Sequence, residues 1–211
     1  MNRDEAVAEL RFVLADTVKP YSWSDFRLLN FLSLAQDQFC KDTGFFSDFV
    51  TYNITTVANV DSYALDPRII EVLDVWYLGT KLRHFYQAER VTLPPSPGQP
   101  IGWQSDQQTQ KITFWPALDK VYTIPLRVWR KSLQKLSADG AEFEIPEDFH
   151  LACVEWAAYK ALGDHDRELQ DPVKAAEHLA NYKIGAREGK LAFQRISGGM
   201  GDVIPNPLYV V

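Results

Sequence analysis

Residues 22–56 read SWSDFRLLNFLSLAQDQFCKDTGFFSDFVTYNITT, and the period of their apolar positions changes partway along. Up to Thr43, the residues Leu28, Leu29, Leu32, Ala35 and Phe39 recur at helical spacing and line one face. Ser22, followed three residues later by Asp25, fits a capping box, and Tyr21 and Phe26 flank it where a hydrophobic staple would sit. Gly44 suits the left-handed residue that closes a helix. Beyond it, Phe49, Thr51, Asn53 and Thr55 alternate with Val50, Tyr52, Ile54 and Thr56 in a β-rich composition. The period therefore passes from helix to strand at Gly44.

Upstream, residues 3–15 form an amphipathic helix through Ala6, Val7, Leu10, Val13 and Leu14, with Asn2 and Glu5 as a capping box and Lys19-Pro20 as its limit. Downstream, Ala58 to Asp61 reads as a turn and Ser62 to Leu65 as a short returning strand. Ile69 to Leu78 is a further strand, closed by Gly79-Thr80, with a hairpin return through Leu82 to Tyr86. The stretch PPSPGQPIG at 94–102 has too many prolines for a helix interior or a central strand and reads as a long loop. Ile112 to Trp115 and Val121 to Trp129, with Pro116 to Asp119 between them, read as a second hairpin. A polar linker leads to Ile145-Pro146-Glu147, which starts a strongly apolar helix carrying Phe149, Ala152, Cys153, Trp156, Ala157, Tyr159 and Leu162 up to Gly163. Asp171-Pro172 opens the last helix, with an N-cap and a proline at its first position. Its apolar face is expected to be Val173, Ala176, Leu179, Ala180 and Ile184, with Gly185 and Gly189 weakening its far end.

The order helix, helix, strands, helix, helix predicts an α+β fold. Two N-terminal and two C-terminal helices would close a four-helix bundle over 1–44 and 145–195. Residues 45–144 would form an inserted antiparallel β lobe, and 196–211 an extended C-terminal tail.

Composition narrows the function. Of 211 residues, 46% are hydrophobic and 24% charged, as in a folded globular chain. The formal net charge of -6 weakens any reading as a strong nucleic-acid binder, which needs a basic stripe. No apolar run approaches the ~20 residues that span a membrane. The charged start Met1 to Glu5 has no signal-peptide core, so the chain is expected to stay in the cytoplasm where it is made. Cys40 and Cys153 read as buried small hydrophobes rather than a disulfide or metal site. No HExxH or GxSxG pattern is present, and Ser197 to Gly201 follows a helix and lacks the Lys of a phosphate loop.

Several segments carry a resemblance. Trp23-Ser24-Asp25, Leu28-Leu29, Leu32 and Ala35-Gln36 resemble the second-helix signature of phage head–tail adaptors, including the tail tubular protein A-like connectors. Ser33 stands where that signature usually has Asn. Tyr63-Ala64-Leu65, the loop Gly98-Gln99-Pro100, the segments Ile112 to Pro116 and Tyr122 to Arg127, and Ile145-Pro146-Glu147 with His150 are similar to later parts of the family pattern. The resemblance covers roughly residues 5–190. It implies a structural virion protein without cofactor or catalysis, made in the host cytoplasm. Such a protein forms a ring, dodecameric to match a portal, that joins capsid to tail. Its partners would be the portal protein, a tail protein (nozzle or tail tube), and further copies of itself, with genomic DNA only as passing cargo and no membrane.

Two sets of residues are candidates for contact. The tail 203–211, VIPNPLYVV, is apolar and uncharged, and is expected to dock on the portal or a neighbouring subunit through Ile204, Leu208, Tyr209, Val210 and Val211. Trp103, beside the proline-rich loop, and the basic residues Arg127, Arg130 and Lys131 are candidate subunit or tail contacts. The rival readings are a small soluble enzyme, such as a hydrolase with a site near Asp148, His150 or Trp103, and a monomeric binding module using the β lobe.

Overall fold

The computed structural model describes residues 1–85, 96–138, 140–163 and 170–198. The chain is α+β, with four α-helices and largely antiparallel sheets. The elements are α1 (Arg3–Val13), α2 (Asp25–Thr43), β1 (Ser47–Asp48), β2 (Asn53–Thr55), β3 (Ser62–Ala64), β4 (Ile69–Tyr77), β5 (Thr80–Lys81), β6 (Arg83–His84), β7 (Gly102–Asp106), β8 (Lys111–Trp115), β9 (Thr123–Arg130), α3 (His150–Leu162) and α4 (Pro172–Gly198). They divide into two compact units, a helical one made of Met1–Phe45 with the described residues from Ser132 onward, and a β unit, Phe46–Lys131.

In the helical unit, α1 starts on its Asn2–Glu5 capping box. Helix α2 starts two residues later than the sequence pattern suggests. Its N-cap is Ser24, whose hydroxyl accepts the Arg27 N–H, and Asp25 is already helical. The reason is Asp16, which takes the Ser22 and Trp23 N–H groups and holds both residues in the connection. The cap at Ser24 puts buried Trp23 and Leu28 at the staple positions and leaves Tyr21 and Phe26 exposed. The far end closes as expected on Gly44 at φ +66°.

Arg11 fixes this connection. Its buried guanidinium donates to Asp16 at 2.6 Å, to the Trp23 carbonyl at 2.9 Å and to Asp25 at 2.5 Å, and lies 3.8 Å from the Tyr21 ring centre. Further along, two buried polar residues of α2 anchor the segment that precedes α3. Ser33 donates to the Leu29 carbonyl and accepts the Leu136 N–H at 2.9 Å, and the Gln36 side-chain carbonyl accepts the Glu144 N–H at 2.8 Å.

Helix α3 packs against α1, α2 and α4, so it is apolar nearly all round, from Ala152, Cys153 and Val154 to Ala161 and Leu162. The stripe of α4 differs from the expected one. Ala175, Tyr182, Ala186 and Phe193 are buried, whereas Val173 and Ile184 are exposed. Here close approach decides the stripe. A Cβ on Gly185 would lie 2.7 Å from the Ala152 Cβ, and one on Gly189 would lie 2.5 Å from the Phe39 ring. These glycines let α4 seat on its neighbours, at a cost in helix propensity of about 1 kcal/mol each.

The β unit corrects the expected hairpins. Strand β9 bonds β1 and β2 along one side and β4 along the other, all antiparallel. A second sheet runs β3-β8-β7-β6, with β6 and β7 parallel. Strands β8 and β9, expected to pair with each other, therefore belong to different sheets. Strand β3 returns to β8 rather than to β2, and β7, of which the expected loop 94–102 includes only Gly102 and which the sequence pattern does not single out, is the partner of β8. The predicted run 49–56 is broken by a turn in which the Asp48 carboxylate takes the N–H groups of Val50 and Thr51. A single apolar cluster draws on both sheets, including Val75, Leu126 and Val128 from one and Trp103, Ile112 and Phe114 from the other.

Arg11→Ala leaves the buried Asp16 carboxylate without its cation and is expected to cost roughly 3–5 kcal/mol in denaturant unfolding. Asp25→Asn, at the exposed arm of the same network, should cost under about 1 kcal/mol. In α4, Gly185→Ala should lower the thermal midpoint despite its better helix propensity, because the overlap with Ala152 costs about 1–3 kcal/mol. A raised midpoint would show that α4 can move away freely.

Candidate interaction surfaces

Among the described residues, the expected contact residues Trp103, Arg127, Arg130 and Lys131 all belong to the β unit. Trp103 is only 3% exposed and belongs to the apolar cluster of the β unit, so its expected exposure is not found. It occupies an inward position of β7, whose presence the neighbouring prolines obscured. His84 packs edge-on against its ring at 4.7 Å.

The basic residues near the end of β9 are engaged within their own unit. Along β9 the side chains alternate, with Ile124, Leu126, Val128 and Arg130 buried. Arg127 bonds the Ser47 hydroxyl at 3.0 Å and lies 3.5 Å from Asp74, which Lys81 also contacts at 2.5 Å. Arg130 is buried, donates to Asp48 at 2.8 Å and lies over the Phe46 ring. Lys131 reaches the Pro67 carbonyl at 3.4 Å and is half-buried. Of these four residues, Arg127 and Lys131 retain partial exposure, whereas Trp103 and Arg130 serve the fold. The tail residues Ile204, Leu208, Tyr209, Val210 and Val211 lie outside the described residues.

The rival catalytic positions are also placed. His150 is buried, its Nε2 lies 2.8 Å from the Ile145 carbonyl, and its ring stacks on Phe143. That is the geometry of a helix-start packing residue. No group of three His, Cys, Asp or Glu side chains is placed to hold a metal among the described residues. No helix among them is long and apolar enough to cross a membrane.

Sequence reasoning missed an apolar surface at the α1–α2 connection. Phe12, Val18 and Phe26 are largely exposed there, and Tyr21 is partly so. Phe26 was absorbed into a staple that does not form. The available signal was its position off the stripe of Leu28, Leu29 and Leu32.

The Asp48–Arg130 pair makes stability depend on pH. Burial opposes ionisation of Asp48, but the N–H and hydroxyl of Thr51, the Arg130 guanidinium and the Val50 N–H outweigh it and hold the carboxyl at about 2. A depressed folded-state pKa contributes stability above the unfolded value and loses it as pH falls toward the folded one. Equilibrium unfolding of the wild type should therefore lose roughly 1–2 kcal/mol from this group between about pH 4 and pH 2. Asp48→Asn should flatten that part of the profile, and an unchanged slope would mean that Asp48 is not its source.

No curated protein matches the sequence. It does match the model of a family described as SU10 adaptor protein, over residues 1–201. That span takes in both compact units through all four helices. The chain belongs to the SU10 adaptor protein family, a family of phage head–tail adaptors, and its role is that of a phage structural adaptor.

Proposed function

We propose that identical copies of this chain close into a ring beneath the portal, join the capsid to the tail and line the channel through which the genome leaves. The observation that carries this reading is the family match across residues 1–201. Copies related by repeated head-to-tail contacts close into a ring when the rotation permits. Twelve copies would match the symmetry that the resemblance implies for a portal. In this reading the four helices act as one bundle, from 1–44 and 145–195, and 45–144 is the lobe inserted into it. The net charge of -6 supports a channel wall that repels DNA phosphates and lets the genome pass without adhering. The protein would be made in the host cytoplasm, take no cofactor and catalyse no reaction. Its head-side partner would be the portal protein and its tail-side partner a nozzle or tail-tube protein.

The tail 196–211, whose first three residues continue α4, would dock on the portal or on a neighbouring subunit. Its segment VIPNPLYVV is uncharged and apolar, and Gly198, Gly199 and Gly201 precede it. Glycines give such a segment reach, and its two prolines discourage self-pairing into fibrils. Ile204, Leu208, Tyr209, Val210 and Val211 would supply the contact.

Mixing the full chain with the portal ring of the same phage and measuring particle mass tests the ring. A discrete added mass equal to a symmetric set of subunits is expected. A stable monomer that never binds at micromolar concentration would favour a monomeric module or an enzyme instead. Deleting residues 198–211 should abolish docking while leaving the circular dichroism spectrum and thermal midpoint unchanged. Full docking by the truncated chain would remove the tail from the mechanism.

A further inference from the structure

Helix α4 carries a second apolar stripe, opposite the buried one. At 3.6 residues per turn, Val173, Ala180, Ile184 and Leu191 fall within roughly 20° of one line along the helix. The buried residues Ala175, Tyr182, Ala186 and Phe193 lie about half a turn away from that line. One stripe therefore packs within the helical unit, and the other faces outward. Val173 is 69% exposed, Ile184 61% and Leu191 45%. Glu177 and Glu188 flank the outer stripe on one side, and Lys183, Arg187 and Lys190 flank it on the other, all of them exposed. A β-branched side chain on an outward helix position lowers helix propensity and keeps apolar surface in water. Val173 and Ile184 carry both costs on the same line.

Length and charge match this stripe to the segment VIPNPLYVV at 203–211. From Val173 to Leu191 the helix rises roughly 27 Å. Pro205 and Pro207 favour an extended chain, in which the segment spans about 25–28 Å. The segment has no charged side chain, and the line of the stripe has none either. The ionised residues stand at the rims, where they keep their water while an apolar occupant covers the centre. The end of α4 then selects the copy. The Phe193 ring meets that of Phe45, just past the end of α2, and α4 continues to Gly198. The chain thus leaves the helical unit heading away from its own stripe.

We propose that the outer stripe of α4 is the seat for the tail of a neighbouring copy, with 203–211 laid along Val173, Ala180, Ile184 and Leu191. The inference rests on the adaptor reading and names the surface on which the tail docks. Stripe and tail are different parts of the chain, so the contact is head-to-tail, the kind that closes into a ring. The two prolines reduce the freedom lost on docking. One such contact is small, and a ring repeats it so that many act together. Leu208 lies ~16 Å along the extended segment, near its middle. Whichever direction the tail runs, Leu208 falls beside Ala180 and Ile184.

The test is the full chain carrying Ile184→Cys and Leu208→Cys, assembled with the portal ring under reducing conditions and then oxidised with glutathione disulfide. The native Cys40 and Cys153 are buried and stay out of the reaction. A ladder of covalent multiples of the chain is expected. The control pair Phe12→Cys and Leu208→Cys, which uses the exposed surface at the α1–α2 connection, should cross-link at least ~10-fold more slowly. Equal rates for the two pairs, or no cross-link in assembled particles, would overturn the seat. Single chains closed on themselves would put the tail on its own stripe and overturn the choice of copy. Dimers from Ile184→Cys alone would put a second α4 there and overturn the tail as occupant. Separately, Ile184→Glu should leave the thermal midpoint nearly unchanged and weaken assembly on the portal at least ~10-fold. A lowered midpoint would show that Ile184 serves its own fold and would overturn the proposal, as would undiminished assembly. Failure of the wild-type chain to add mass to the portal ring would overturn the adaptor reading, and this inference with it.

Discussion

Strand β9 must satisfy neighbours on both of its edges, and the rest of the β unit is arranged around that requirement. Its eight residues, Thr123–Arg130, bond β1 and β2 on one side and β4 on the other. A strand so placed has no free edge to solvate its backbone, so every position is committed to a register. The alternation then follows, with Ile124, Leu126 and Val128 directed into the apolar cluster. Arg130 continues the buried series because Asp48 waits for it, and the Asp48 turn exists because the segment after β1 must bend before β2 can pair. Arg127, on the other face, meets the Asp74 carboxylate of β4. Most of the β unit's polar chemistry near β9 thus serves register rather than recognition.

The helical unit depends on a comparable centre, α3, which touches each of the other three helices. An apolar helix alone does not say which way its neighbours lie. Direction comes from polar anchors: Arg11 for the α1–α2 connection, Ser33 and Gln36 for the segment before α3, and the Tyr182 hydroxyl, 2.6 Å from Asp42, for α4 against α2. Each buries a hydrogen-bonding group that would be costly without its partner.

The candidate site was far less legible than the fold. Trp103 looked exposed because prolines precede it, yet it is an inward residue of β7. The basic run Arg127, Arg130 and Lys131 looked like a patch, but Asp48, Asp74 and the Pro67 carbonyl take up its charge. Those acceptors lie 50 or more residues away in sequence, so only folding brings them near.

The sequence by itself determined what depends on near neighbours. Helix periods, the Asn2–Glu5 cap, the Gly44 terminus, the turn at 58–61 and the α+β order all follow from contacts within a few residues. Tertiary structure alone decided that β8 and β9 part into separate sheets, because strand pairing is a competition among partners of similar local propensity. It also moved the α2 cap from Ser22 to Ser24, since the distant turn at Asp16 had claimed the N–H groups of Ser22 and Trp23. And it turned the buried stripe of α4 toward Gly185 and Gly189, since backbone approach to Ala152 and Phe39 requires positions without a Cβ, a demand that the opposing helices make and the local sequence does not.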